Sequence, residues 1–290
     1  MKKDAPRVDF PVSFVVLSYN RSDQIEKTIF SIMEIVRYWG GELIVVDNGS
    51  TDGSAEIIRE IVNGEKNVRC IFNDRNLGVS RGRNIGWELA RYDYIFSLDD
   101  DIIIDTSAVD KLLLCVRSDK RIAIASPQIC DATSRRILTS VRDGKISSFF
   151  FEAAFMLNKE ALDKIGYLDP YLEVAGEGLD YSMRLKEKGY RVHLVEEVSV
   201  LHYDRARTDV DRLLRRRKWV FSLCYVYFKN MAIHSAVYYS ARATAANVKN
   251  ARVRSGVLYI VSLVFAALRG AATGRSARFR NHFIEKAADA

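Results

Sequence analysis

Three aspartates, Asp99, Asp100 and Asp101, follow one another at the end of the apolar run Tyr94–Leu98. Like charges a few ångströms apart repel unless a cation or hydrogen-bond donors neutralise them. A hard divalent cation such as Mg²⁺ or Mn²⁺ suits the task, because it takes oxygen ligands and keeps positions open for phosphate oxygens. Alternate side chains of a strand share a face, so Asp99 and Asp101 are expected to point into a crevice together, with Asp100 turned away. The competing use of such a cluster is to cap a helix beginning near Thr106. Arg81 and Arg83 come just after Asn76-Leu77-Gly78, where a helix N-terminus and guanidinium groups together suit phosphate. Solvated surface arginines are the plain alternative. His202 closes the run Val198–Leu201, and imidazole favours Mn²⁺ over Mg²⁺, but spacing alone does not bring it to Asp101.

The elements that would position these residues alternate. Val12–Leu17 is a β-branched run suited to a strand buried on both faces, and it ends in Ser18-Tyr19-Asn20-Arg21. A helix is expected next, with Ser22 or Asp23 as its N-cap, apolar residues at Ile25, Ile29, Ile32 and Val36, and a stop at Gly40-Gly41. Strand 42–46, helix 54–62, strand 68–72, helix 80–90 and strand 94–98 continue a βα series, which predicts a mostly parallel α/β sheet flanked by helices. Later come strands over 122–129 and 149–157, helix 159–165, a loop over 167–178, helix 179–188 and two short strands, 191–195 and 198–202. In such sheets ligands bind beyond the carboxyl ends of the strands. Those ends are uniformly polar, which sets Tyr19, Asn20, Arg21, Asp47, Asn76 and Gly78 around a ligand, although turn chemistry alone also favours Asn, Gly and Ser there. Trp87 is expected in the core.

In order along the chain, VVLSYNR, IVVDNGSTDGS, NLGVSRGRNIG, FSLDDDI, GEGLDYSMRLKEKGY and VSVLH resemble the family 2 nucleotide-sugar glycosyltransferases, which have the GT-A fold. The likeness runs from about Pro11 to His202. It implies that Tyr19 and Asp47 contact the nucleobase, Arg83 the nucleotide, and Asp99 or Asp100 the ribose, while Asp101 and His202 hold a metal bridging the diphosphate. It further implies inverting displacement at the anomeric carbon by an acceptor hydroxyl, with a carboxylate taking the proton. The candidates are Glu177 first and Asp180 second. Many relatives carry an acid pair at the positions of Glu177 and Gly178, with the second acid as base. Here that second acid is glycine.

Length and composition agree with a globular enzyme: 290 residues, 48% of them hydrophobic, can bury a sizeable core. The net charge of +7 is concentrated after residue 204, where arginines interleave with Trp219, Phe221, Tyr225, Tyr227, Phe228, Tyr238 and Tyr239. That pattern suits helices lying on an anionic membrane surface, with lipid-linked or glycan acceptors in reach. Packing on the catalytic domain, or an oligomer through these helices, is the alternative. No nucleic-acid motif is visible. The longest uncharged apolar run, Gly256–Leu268, falls short of the roughly 20 residues a spanning helix needs. MKKDAPRVDF lacks the apolar stretch of a secretory signal, so the expected location is cytoplasmic, peripheral on the inner face of the plasma membrane. Cys70, Cys115, Cys130 and Cys224 have no C-x-x-C spacing and read as reduced core residues.

The expected organisation is a GT-A catalytic domain over 1–203, with a nucleotide half at about 11–105 and an acceptor half at about 106–203, then a basic, aromatic helical extension over 204–290. The expected donor is a UDP- or dTDP-sugar. A sugar nucleotidyltransferase would need a glycine-rich, lysine-bearing loop after the first strand, and SYNRSD has neither residue. A non-catalytic nucleotide-sugar binder is the reading Gly178 allows. The absence of G-x-G-x-x-G after the first strand counts against an oxidoreductase.

Overall fold

A computed structural model describes residues 10–139, 146–147, 150–203, 209–250 and 264–278. The alternating series forms as expected: β1 (Val12–Ser18), α1 (Ile25–Trp39), β2 (Gly41–Asp47), α2 (Ser54–Ile61), β3 (Val68–Phe72), α3 (Val79–Leu89) and β4 (Tyr94–Asp99). Then follow β5 (Ile102–Ile103), α4 (Thr106–Ser118), β6 (Ile122–Asp131), β7 (Ile146–Ser147), β8 (Ala154–Asn158), α5 (Lys159–Ile165), α6 (Glu177–Glu187) and β9 (Arg191–His202). The sheet order is β3-β2-β1-β4-β8-β6-β9-β5, with β7 beside β9. Among the described residues, only β8 and the two-residue β5 and β7 run against the parallel majority.

Both faces of the sheet are buried, which is why its central strands are apolar throughout. On β1, Val12, Phe14 and Val16 join Ile25, Ile29, Ile32 and Val36 of α1 in one core, while Val15 and Leu17 face the other core with Trp87. Gly82 and Gly86 explain how closely α3 packs there. A Cβ on either would overlap Leu17 or Val15. Trp87 is fully buried, donates Nε1–H to Ser97 Oγ at 3.1 Å and packs edge-on against Phe155, so its expected core role stands.

Four local expectations differ. Neither Ser22 nor Asp23 caps α1: the Arg21 carbonyl accepts from the N–H groups of Gln24 and Ile25, and that extra turn delays the helix. The two late strands are one, β9, whose register with β6 shifts after Val195; this bulge leaves Glu196 and Glu197 exposed without ending the strand. β8 starts at Ala154, later than the apolar run suggests, and Phe149 lies outside the described residues. Helix α6 begins at Glu177, because Gly176 at φ 88° turns the chain and its carbonyl accepts from Asp180 N–H. The cysteines are unpaired, but only Cys224 is fully buried. Partial burial still pushes the Cys70 and Cys115 thiols up to about 11.

The chain divides into two compact units, Met1–Glu173 with Tyr181–Arg205, and Val174–Asp180 with Ala206–Ala290. The second holds α7 (Asp209–Asn230), α8 (Ile233–Asn250) and a helix over 264–278. There Gly270 and Gly274 lie against the carbonyls of Phe221 and Tyr225 so closely that a Cβ would overlap them, and Ala267 packs on Val220 and Cys224. Most of Gly256–Leu268, and the side chain of Arg212, lie outside the described residues.

Candidate active site

The parallel register sets Asp47 opposite Ser18 and Asp99 opposite Leu17, so the ends of β2 and β4 flank the end of β1. Asp99 closes β4, and the next two aspartates turn away from the strand. The pairing of β5 with β9, Ile102 against His202, carries the imidazole back to this turn, and Tyr203 N–H donates to the Asp101 carbonyl at 2.9 Å. This antiparallel contact is the step that sequence spacing could not supply. Asp99, Asp101 and His202 offer ligand atoms that lie within 4.8 Å of one another. His202 Nε2 is 3.4 Å from Asp101 Oδ1, and its Nδ1 has no hydrogen-bond partner among the described residues. Two carboxylates and an imidazole form a donor set that fits Mn²⁺.

Asp100 is not one of the three. Its carboxylate accepts from Tyr19 N–H at 2.9 Å and sits 3.4 Å from Arg21 Nε. Burial, with the neighbouring Asp101 charge, pushes the Asp100 carboxyl up to about 8 against the pull of the Tyr19 N–H. The cluster is not a helix cap, since α4 is capped by Asp105, which accepts from Ala108 N–H at 2.8 Å.

Two buried arginines hold the cluster. Arg21 binds Asp101 Oδ2 and the Tyr203 carbonyl, and Arg83 binds Asp99 Oδ1 and the Glu152 carbonyl. Arg83 is 2% exposed, so its guanidinium neutralises Asp99 from within α3, whereas Arg81 faces solvent. Asn20, at φ 53°, ties two loops together: its Oδ1 accepts from Thr51 N–H at 2.8 Å and its N–H donates to Ser50 Oγ at 2.8 Å. Asn76 and Gly78 are also engaged within the protein. Asn76 Oδ1 accepts from Gly78 N–H and from Asn48 Nδ2, and a Cβ on Gly78, at φ 85°, would press on Glu173 at 2.9 Å. Tyr19 is 43% exposed, and Asp47, 2% exposed, keeps Oδ2 without a partner among the described residues while Oδ1 accepts from Ser50 N–H.

In the second unit, Glu177 and Asp180 occupy the first turn of α6 and are buried, Asp180 completely. Asp180 Oδ1 accepts from Lys229 Nζ at 2.8 Å and Asn230 Nδ2 at 2.9 Å, both at the end of α7. Sequence reading missed Lys229 and Asn230. They lie 49 and 50 residues from Asp180, in a helix whose aromatic content drew attention to its surface instead. Ser50, Asp52 and Ser54 were also passed over, although the loop motif contains them. Ser54 Oγ accepts from Arg21 N–H, and Asp52 from Ser22 N–H.

A solved structure of the mannosyltransferase PcManGT from Pyrobaculum calidifontis, in complex with GDP-Man and Mn²⁺, has a TM-score of 0.61 at 16% identity, covering 95% of this chain and 86% of that one. GalNAc-T7 with UDP, GalNAc and Mn²⁺ gives 0.60 at 17% identity over 76% of this chain and 50% of that one. Both establish the GT-A fold. In sequence, the poly-β-1,6-N-acetyl-D-glucosamine synthase of Staphylococcus aureus (strain MSSA476) is 28% identical over 201 residues, 62% of this chain and 47% of the relative, so the chain spans about half of that protein's length. The model of glycosyl transferase family 2 matches residues 13–173, and that of glycosyl transferase family group 2 matches residues 94–274. The chain is a glycosyltransferase and belongs to glycosyl transferase family 2.

Proposed function

We propose that this glycosyltransferase moves a sugar from a nucleoside diphosphate-sugar to an acceptor hydroxyl, with inversion and with a divalent metal. The observation that carries the reading is the convergence of Asp99, Asp101 and His202 at the strand ends, on the sheet edge that also carries the lone oxygen of buried Asp47. A buried acceptor without a donor costs free energy, and a nucleobase N–H is a donor of the right kind. Tyr19 supplies an exposed side chain for the base, and Asp99 or Asp100 meets the ribose, Asp100 being held beside that loop by the Tyr19 N–H. Arg21 and Arg83 bind Asp101 and Asp99 and orient them when the donor is absent. Asp99, Asp101 and His202 would hold Mn²⁺ or Mg²⁺, which supplies electrostatic stabilisation for the charge of the departing diphosphate. Glu177 takes the acceptor proton.

Residues 1–203 act as the catalytic domain, divided near 105 into donor and acceptor halves, and 204–290 as its extension. The donor is a UDP- or dTDP-sugar, with GDP as the rival that the mannosyltransferase complex suggests. The acceptor is a glycan or lipid-linked sugar, by analogy with the polysaccharide synthase. Among the described residues no helix is long and apolar enough to cross a membrane. Exposed Trp219 beside Arg215, Arg217 and Lys218, and exposed Val237 and Tyr238 beside Arg242, support peripheral attachment to an anionic cytoplasmic membrane face. Thermal-shift titration with UDP-, dTDP- and GDP-sugars, with and without Mn²⁺, tests the donor reading: stabilisation should require both ligand and metal. Release of nucleoside diphosphate in the presence of acceptor then separates an enzyme from a binder.

A further inference from the structure

The segment Val174–Asp180, which carries both candidate bases, belongs to the same compact unit as α7 and α8. Within it Asp180 is fully buried and accepts two hydrogen bonds, from Lys229 Nζ at 2.8 Å and Asn230 Nδ2 at 2.9 Å. Asn230 Nδ2 also donates to the Val226 carbonyl at 3.0 Å, so the amide is fixed on its own helix. The Lys229 side chain is 8% exposed. Helix ends reinforce both charges: Asp180 lies in the first turn of α6, where negative charge is favoured, and Lys229 in the last turn of α7, where positive charge is favoured. A carboxylate that already faces an ammonium and an amide is held in its ionised form and is a poor proton acceptor.

We propose that Lys229, assisted by Asn230, is a positioning residue that locks Asp180 as an ionised strut and thereby presents Glu177, one helical turn earlier, as the carboxylate that receives the acceptor proton. This deepens the glycosyl-transfer reading and rests on it. In that step the acceptor O–H breaks, its oxygen bonds the anomeric carbon, the proton passes to Glu177, and the electron pair of the donor C–O bond leaves with the nucleoside diphosphate. Asp180 neither gains nor loses a proton. The glycine at 178 is then tolerated because the loop is anchored by the ion pair at Asp180. The end of α7 then serves the acid segment of its own unit.

The test uses the full chain with Mn²⁺ and a nucleotide-sugar that the wild type turns over. Lys229→Gln keeps a hydrogen-bond donor and removes the charge. We expect kcat to fall about tenfold or more, with donor KM within about twofold of wild type. Loss of the cation also disfavours ionised Glu177, so the acid limb of the pH–kcat profile moves to higher pH. Lys229→Arg should return the limb to its wild-type position. Asn230→Ala, which keeps the ion pair, should lower kcat several-fold without moving the limb. A Lys229→Gln protein that binds donor and shows wild-type kcat and an unmoved limb overturns the proposal. Should that variant fail to fold, Asn230→Ala decides: reduced kcat supports the lock, and wild-type kcat overturns it. A wild type that turns over no nucleotide-sugar removes the parent reading instead, and this inference with it.

Discussion

The donor-side loops and the segment that carries the acids are organised in opposite ways. After β1, β2 and β3 the polar residues satisfy one another over short loops: Asn20 with Ser50 and Thr51, Arg21 with Ser54, Asn48 with Asn73 and Asn76. These bonds brace the loops against one another. Segment Val174–Asp180 is instead anchored by the end of α7, through Lys229 on Asp180. A local lattice can be read from a motif, whereas an anchor supplied from 49 residues away cannot.

The sharpest way to break this contrast is to exchange its two acids. Glu177→Gln should lower turnover by about 10²–10⁴-fold, the usual worth of a general base, with donor binding kept. Asp180→Asn, which breaks the pair with Lys229, should lower folding stability and reduce kcat by only about tenfold, as Lys229→Gln does. If Asp180→Asn abolishes turnover in a folded protein while Glu177→Gln does not, the assignment is reversed. Next in size is Lys229→Met, which strands a buried carboxylate. Such a break costs about 3–5 kcal/mol, to be read by denaturant unfolding. Gly82→Ala tests the donor side without touching a ligand atom: overpacking Leu17 should cost about 1–3 kcal/mol and lower the melting temperature, with KM little changed if the lattice is as rigid as its bonds suggest.

A separate prediction concerns pH. Burial, with the Asp101 charge, holds the Asp100 carboxyl up at about 8 in the folded protein against 3.8 for the ordinary side chain, so the native state binds a proton that the unfolded chain has lost. In metal-free protein its contribution is full below about pH 4 and is lost as pH rises toward 8. Chemical denaturation in chelator across that window should show falling stability, and Asp100→Asn should flatten the slope.

The parallel sheet was legible because its strands are apolar runs closed by polar turns, and the aspartate cluster stood out because adjacent like charges demand a partner. The arginines were only half legible. Their presence near the site follows from the motifs, but that Arg21 and Arg83 are buried against the aspartates depends on tertiary packing. The continuity of β9 was hidden by Glu196-Glu197, whose exposure a bulge accommodates. His202 needed the β5–β9 pairing, and Asp180 needed α7. Motif order therefore reaches the residues that local turns position, and fails where a distant element completes the arrangement.

Calorimetric titration of a nucleotide-sugar into wild type, Asp101→Asn and Glu177→Gln, each with Mn²⁺ and with chelator, tests the division of labour between these regions most directly. Wild type and Glu177→Gln should bind the donor only with metal, with Glu177→Gln failing to turn it over when acceptor is added, and Asp101→Asn should not bind. Metal-independent binding by wild type, or wild-type binding by Asp101→Asn, would contradict it.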